Sequence, residues 1–260
     1  MNATDCRTRY PLLLIHGLNC RDDWVFSYWG RVADTLRDHG GLVFLSGQDA
    51  WGGIPANGEF LHRRAEEVLA LTGAEKLNLI AHSKGGLEAR YLISTLDFAP
   101  KAASLTTICT PHRGSMAAEA WLKRERICGF AGPGLEHFWR VRGDLDPDFR
   151  AAVTALTPLA CARFNAENPD SPLVYYQSWG ACLRRPSRDP VDRFQLWLTK
   201  ADAPTDGLVS PSSAAWGKYR GTLRNVSHQD AVGGRRRKRP DFDAAEFYIR
   251  LVRELADMGF

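Results

Sequence analysis

Apolar residues run unbroken through Pro11-Leu12-Leu13-Leu14-Ile15 up to His16-Gly17, the pattern of a strand buried on both faces in a parallel sheet. The spacing of Trp29, Val32, Ala33 and Leu36 predicts a helix over Trp24 to His39, ended by Gly40-Gly41. A second strand is expected at Leu42-Val43-Phe44-Leu45. A glycine-rich loop through Trp51-Gly52-Gly53 then leads to a helix from about Glu59 to Leu71, closed by Gly73. Further strands are expected at Leu77 to Ile80 and Leu105 to Cys109, with a helix from Lys84 to about Leu96 between them. This alternation predicts an α/β fold with a doubly wound, mostly parallel sheet.

The periodicity then changes. From Ser115 to Pro172 no strand pattern occurs, and helical stretches around Ala117 to Arg126 and Asp148 to Ala166 flank a Gly- and aromatic-rich piece. Residues 115–172 are therefore expected to form a helical cap inserted into a single domain spanning 1–260. Leu173 to Trp179 returns to the sheet, Asp206-Gly207-Leu208-Val209 and Asn225-Val226-Ser227-His228 open loops, and Phe242 to Met258 reads as a final amphipathic helix.

One serine stands where a strand breaks into small residues: Ala81-His82-Ser83-Lys84-Gly85-Gly86. A strand that turns sharply into a helix holds its central residue in a strained conformation and presents its Oγ, and small neighbours leave room for that turn. Ser83 is thus a candidate nucleophile. A serine hydroxyl needs a base to take its proton and a carboxylate to orient that base. In doubly wound hydrolases the chain order is nucleophile, acid, histidine. Asp206 and His228 fit it, with Asp202 the nearest competitor for the acid and Asp189 and Asp192 weaker.

The other histidines read differently. His39 and His62 fall on predicted helices, His137 in the cap, and His16 at the end of the first strand. His82 is expected to point away from the nucleophile by strand alternation and to pack against backbone. The oxyanion of an acyl-transfer intermediate needs two backbone N–H donors. Lys84, directly after the nucleophile, and Leu18, after His16-Gly17, are the candidates. For the Lys84 side chain two readings stand: a charge that raises the local potential, or a solvent-pointing group whose backbone alone matters.

Composition narrows the field. The 260 residues carry 34 basic and 30 acidic side chains, a formal charge of +4, and the one dense basic run, Arg235 to Arg239, is short. That excludes a nucleic-acid groove, which needs a broader basic surface. No window approaches a membrane span and no apolar leader is visible, so a cytoplasmic protein is expected, or a secreted one if an export signal has been removed. Six cysteines lack CxxC spacing and are expected as thiols, a Cys161–Cys182 bridge being the alternative for an exported protein.

Taken together, Pro11 to Leu18, the elbow continuing into Glu88-Ala89-Arg90-Tyr91, Thr110-Pro111-His112-Arg113-Gly114-Ser115, Ala162 to Asn165, Tyr175 to Trp179 and Asp206 to Val209 resemble the true bacterial lipases, the α/β-hydrolases related to Pseudomonas, Burkholderia, Proteus and Bacillus triacylglycerol lipases. Ala81 in the first elbow position is similar to the Bacillus branch. The resemblance implies an α/β-hydrolase fold, with Ser83 as nucleophile, Asp206 as acid, His228 as base and Leu18 and Lys84 as oxyanion donors. Many relatives hold a structural calcium near the histidine loop. Asp230 matches one of its ligands, whereas Gly234 stands in place of a glutamine.

The expected activity is hydrolysis of lipophilic acyl esters through an acyl-enzyme, without organic cofactor. Trp121, Phe130, Leu135, Phe138 and Trp139 of the cap would line an acyl pocket or meet a lipid interface. The alternatives are a short-chain esterase or polyester depolymerase with the same residues, or a catalytically silent binding protein on this fold. Oligomeric state is open.

Overall fold

The computed structural model describes residues 5–19, 21, 27–123, 125–183, 193, 204–233 and 241–260, with the side chains of 125–132 left aside. Its frame is a six-stranded sheet in the order β2-β1-β3-β4-β5-β6, in which every neighbouring pair is parallel. The strands are β1 Leu12–Ile15, β2 Val43–Leu45, β3 Leu77–His82, β4 Ala102–Ile108, β5 Tyr175–Cys182 and β6 Lys218–Arg224.

Alternation along β1 explains its unbroken apolar run. Leu12 and Leu14 enter one core with Trp29, Val32 and Leu36 of the α1 region (α1, Val32–Asp38) and Phe247, Tyr248 and Leu251 of the C-terminal helix Ala244–Asp257. Leu13 and Ile15 enter the opposite core with Leu61, Ala65 and Val68 of α2 (Ile54–Thr72) and Leu92 and Ile93 of α3 (Gly85–Ser94). Helices thus cover both faces, as strands without polar alternation require.

Several boundaries differ from the sequence reading. The predicted helix over Trp24 to His39 begins only at Val32, and Asp22, Asp23 and Trp24 lie outside the described residues. Helix α2 starts earlier than Glu59, at Ile54 with Pro55 in its first turn, where a missing N–H costs nothing. Strand β6 was not expected. Its sequence, Lys-Tyr-Arg-Gly-Thr-Leu-Arg, is polar because it forms the sheet edge, where charged residues are tolerated and guard against further pairing.

Between β4 and β5 the chain forms α4 Met116–Lys123, α5 Glu125–Val141, α6 Phe149–Thr154 and α7 Pro158–Glu167. The Gly- and aromatic-rich piece is helical despite an internal Pro133. Tertiary packing prevails over local breaker signals here, since Trp139 is buried and Leu135 packs in the same cluster. The helix expected over Asp148 to Ala166 is split at Thr157-Pro158, because proline cannot continue a helix and Thr157 caps the new one by accepting from the Ala160 N–H. This insertion shares a third core with the main body, in which Ala50, Trp51, Ile54 and Leu87 meet Phe149, Val153, Leu156 and Phe164.

Cys161 and Cys182 are both unbridged thiols, so no Cys161–Cys182 bridge forms. The Cys161 thiol instead donates to the Pro111 and Ala155 carbonyls at 3.2 and 3.3 Å. Cys20 and the side chain of Cys128 lie outside the described residues, as do Arg235 to Arg239. No described helix is long and apolar enough to cross a membrane.

Candidate active site

The C-terminal ends of the parallel strands converge on one region, the place where open α/β sheets build their sites. At the end of β3 Ser83 takes φ 55°, the left-handed conformation that the small residues around it make accessible. A Cβ on Gly85 would lie 2.3 Å from the His16 carbonyl oxygen, and one on Gly86 would lie 2.2 Å from Thr110 Oγ1. Only glycine lets α3 start this close to the ends of β1 and β4.

After β5 the chain reaches Asp206, whose loop is closed by its own carboxylate. Oδ1 accepts from the N–H groups of Leu208 and Val209 at 2.9 and 2.7 Å, and Gly207 takes φ 108°. After β6 comes His228, whose N–H donates to the Asp206 carbonyl at 3.0 Å. Its Nδ1 donates to Asp206 Oδ2 at 2.7 Å, and its Nε2 lies 2.8 Å from Ser83 Oγ. With Nδ1 protonated, Nε2 is an acceptor facing the hydroxyl. The arrangement can move a proton from Ser83 to His228 and balance the resulting imidazolium with a carboxylate.

Ser83 as a whole is 7% exposed. The turn after β1 presses on it: a Cβ on Gly17 would stand 2.6 Å from Ser83 Cβ. Leu18 directly follows that turn, and Lys84 directly follows the serine. Among the described residues neither N–H of Leu18 and Lys84 has a hydrogen-bond acceptor. The Lys84 side chain does not point to solvent. It is 1% exposed and ion-paired with the equally buried Glu88.

His82 also departs from expectation. Its ring lies 4.6 Å from that of His228, centroid to centroid, and Nδ1 accepts from the Tyr28 hydroxyl at 2.6 Å. Strand alternation fails as a guide because Ser83 has left the extended conformation. Burial, and then the neighbouring His228, hold the His82 imidazole well below its ordinary range, so it stays neutral. Cys109, at the end of β4, donates its thiol to Asp206, and burial pushes it well above the usual thiol value.

His16, His39, His62 and His137 all lie outside this constellation: His16 contacts the carbonyls of Gly17 and Gln48, His39 that of Thr35, His62 the ring of Phe98, and His137 is exposed on α5. Asp189, Asp192 and Asp202 lie outside the described residues.

Three ring and thiol ligands, His82, Cys109 and His228, form the one cluster of metal-binding side chains among the described residues. Asp230 belongs to no such cluster. Its Oδ2 accepts from the Ser227 N–H and hydroxyl at 3.1 and 2.6 Å, closing the loop that presents His228. Gly234, the other position compared with a calcium ligand, lies outside the described residues.

Sequence reasoning missed the polar residues that tie this site together. Gln48, Asp144 and the stack of the Arg90 guanidinium on Trp216 at 3.8 Å acquire their roles from partners distant in sequence, whereas the Lys84–Glu88 pair is an i,i+4 spacing that was open to view.

No protein-family profile matches the chain. It is 39% identical over 231 residues to a triacylglycerol lipase of Pseudarthrobacter phenanthrenivorans, an alignment spanning 81% of this chain and 70% of that relative. It is also 39% identical over 231 residues to a triacylglycerol lipase of Burkholderia plantarii, spanning 81% and 63%. The crystal structure of a Staphylococcus hyicus lipase superposes with a TM-score of 0.77 at 16% identity, over 97% of this chain and 96% of that one.

Proposed function

The chain belongs to the triacylglycerol lipase family of serine ester hydrolases, and from that membership we propose that Ser83, His228 and Asp206 carry out its ester hydrolysis. His228 Nε2 takes the Ser83 proton as Oγ attacks the ester carbonyl, and Asp206 holds the ring and balances its charge. The N–H groups of Leu18 and Lys84 receive the oxyanion. Collapse of this intermediate expels the alcohol, protonated by His228, and leaves an acyl-enzyme, which water opens by the same steps in reverse. One observation carries the reading: a single imidazole spans the hydroxyl and the carboxylate at 2.8 and 2.7 Å.

Acylglycerols or other lipophilic acyl esters are the substrates this reading favours. Met116, Phe138, Val141, Leu145 and Leu159 are all more than half exposed and all lie in the 115–172 insertion, an apolar surface that suits a lipid interface. In this reading the insertion serves as a lid over the site. No organic cofactor enters these steps, and no step is assigned to calcium. The unbridged Cys109, Cys161 and Cys182 suit a reducing compartment, in keeping with a cytoplasmic setting.

Hydrolysis of p-nitrophenyl butyrate and palmitate by the wild type and by Ser83→Ala, each with EDTA or added calcium, tests this reading. Serine-dependent turnover of both esters, indifferent to EDTA, is expected. Turnover of butyrate alone would make it a short-chain esterase. Labelling of Ser83 by a fluorophosphonate probe without turnover of either ester would move the reading to another ester, such as a polyester. No labelling would leave a silent binding protein.

A further inference from the structure

The two proposed oxyanion donors come from different strands, Leu18 after β1 and Lys84 after β3. An oxyanion hole works only when its donors are held at a fixed separation before the charge develops. We propose that Glu88 and Gln48 are positioning residues that set this separation, through a buried polar chain running from the Lys84 side chain to the His16 carbonyl. The inference rests on the assignment of Leu18 and Lys84 as donors.

The chain can be followed atom by atom. Lys84 Nζ donates to Glu88 Oε1 one turn along α3. Asn57 Nδ2, from α2, donates to the same oxygen at 2.7 Å and to the Asp49 carbonyl at 2.9 Å. Glu88 Oε2 accepts from Gln48 Nε2 at 3.0 Å, and the second hydrogen of that amide goes to the His16 carbonyl at 2.9 Å. His16 returns the contact, its Nε2 donating to the Gln48 carbonyl at 3.0 Å. Two residues after His16 stands Leu18.

Burial makes this chain stiff. His16, Gln48, Asn57, Lys84 and Glu88 are all 2% exposed or less, so water offers no alternative partner to any of them. A buried ion pair is weak evidence for stability, because desolvating the charges consumes most of what their attraction returns. Its geometric consequence is firmer. Glu88 takes three donors from three segments, and displacing any of them leaves a charged or polar group unpaired in the interior. Gly85 completes the arrangement, letting the His16 carbonyl approach the helix start where a Cβ would stand at 2.3 Å.

Two variants test the proposal. Gln48→Met removes the link to His16 while leaving the Lys84–Glu88 pair in place, and Glu88→Gln removes the carboxylate that joins all three segments. Steady-state kinetics on p-nitrophenyl butyrate, counted per serine titrated with a fluorophosphonate, should show kcat lowered roughly 10- to 100-fold with KM within about twofold, the mark of an interaction made in the transition state. The inhibition constant of an alkylboronic acid, whose tetrahedral adduct on Ser83 imitates the oxyanion, should rise by the same factor. A lowered melting temperature with kcat and boronate affinity unchanged would overturn the proposal and leave the chain a packing feature. Gln48→Met decides the question if Glu88→Gln does not fold. Retained turnover in Ser83→Ala would instead overturn the underlying site assignment.

Discussion

The Nε2 of His228 lies 2.8 Å from the Oγ of Ser83, although 145 residues separate them in the chain. In the proposed mechanism this contact is productive only while Nδ1 holds the ring proton, which the 2.7 Å bond to Asp206 favours. Asp206→Asn should keep an oxygen for the Leu208 and Val209 N–H groups while turning an amide donor toward Nδ1. The ring then presents Nε2–H to the serine and cannot take its proton. We expect kcat to fall by about 10⁴-fold, with a melting temperature close to wild type. Kinetics and thermal melts on the same preparation check both halves.

Gly17 packs directly against the serine. An added methyl group would stand 2.6 Å from Ser83 Cβ and 2.7 Å from the Tyr28 hydroxyl, closer than real contacts allow. Gly17→Ala should therefore displace the turn that carries Leu18 and lower kcat by roughly 100-fold, the scale of losing one oxyanion donor. Boronate affinity should fall with it. Wild-type kcat in a folded Gly17→Ala protein would show that the turn has slack and that Leu18 is not held as described.

A reciprocal pair of carboxylates holds the insertion to the main body. Asp144 accepts from the N–H groups of Ala50 and Trp51 and from Arg21, each at 3.1 Å, while Asp49 accepts from those of Leu145 and Asp146 at 2.9 and 2.7 Å. Asp144→Ala leaves the two buried amides without an acceptor and should cost about 2–4 kcal/mol, read from urea unfolding. If the insertion is the lid, the same variant should also label faster with a fluorophosphonate. Unchanged stability would mean that the loop finds other acceptors.

Two histidines are held neutral in the fold. Burial, then the His228 charge, lowers His82 well below its ordinary 6.5, and burial, then Arg90 and Arg113, does the same to His112. As pH falls below about 6.5 the unfolded chain binds protons that the native one refuses, so stability present above that pH is lost below it. Each contributes a slope of about 1.4 kcal/mol per pH unit until its native pKa is reached. Asp144, whose carboxyl burial pushes above its ordinary 3.8, acts in the opposite sense, losing stability as pH rises through that raised value. Urea unfolding at pH 7.5 and 5.5 should thus show a less stable protein at the lower pH. Equal stabilities would mean that both histidines take up protons without unfolding.

The parallel strands and the sharp turn at Ser83 were legible in the chain because each is written in short-range terms, and the structure brings the side chains of Ser83, Asp206 and His228 into hydrogen-bond contact. A doubly buried strand needs an unbroken apolar run, a sharp strand-to-helix turn needs small residues, and a loop that fixes a carboxylate needs an Asp-Gly step. Tertiary structure alone decided the rest. Edge strand β6 looks polar because only one of its sides is paired. His82 faces His228 because the elbow abandons strand alternation at Ser83, and the local Lys84–Glu88 pair is buried because the fold closes over it. Glu88 in turn is tolerated inside because Gln48 and Asn57, 40 and 31 residues away in sequence, bring donors to its oxygens. A polar side chain's environment is set by the partners that folding delivers to it, and no local pattern records those partners.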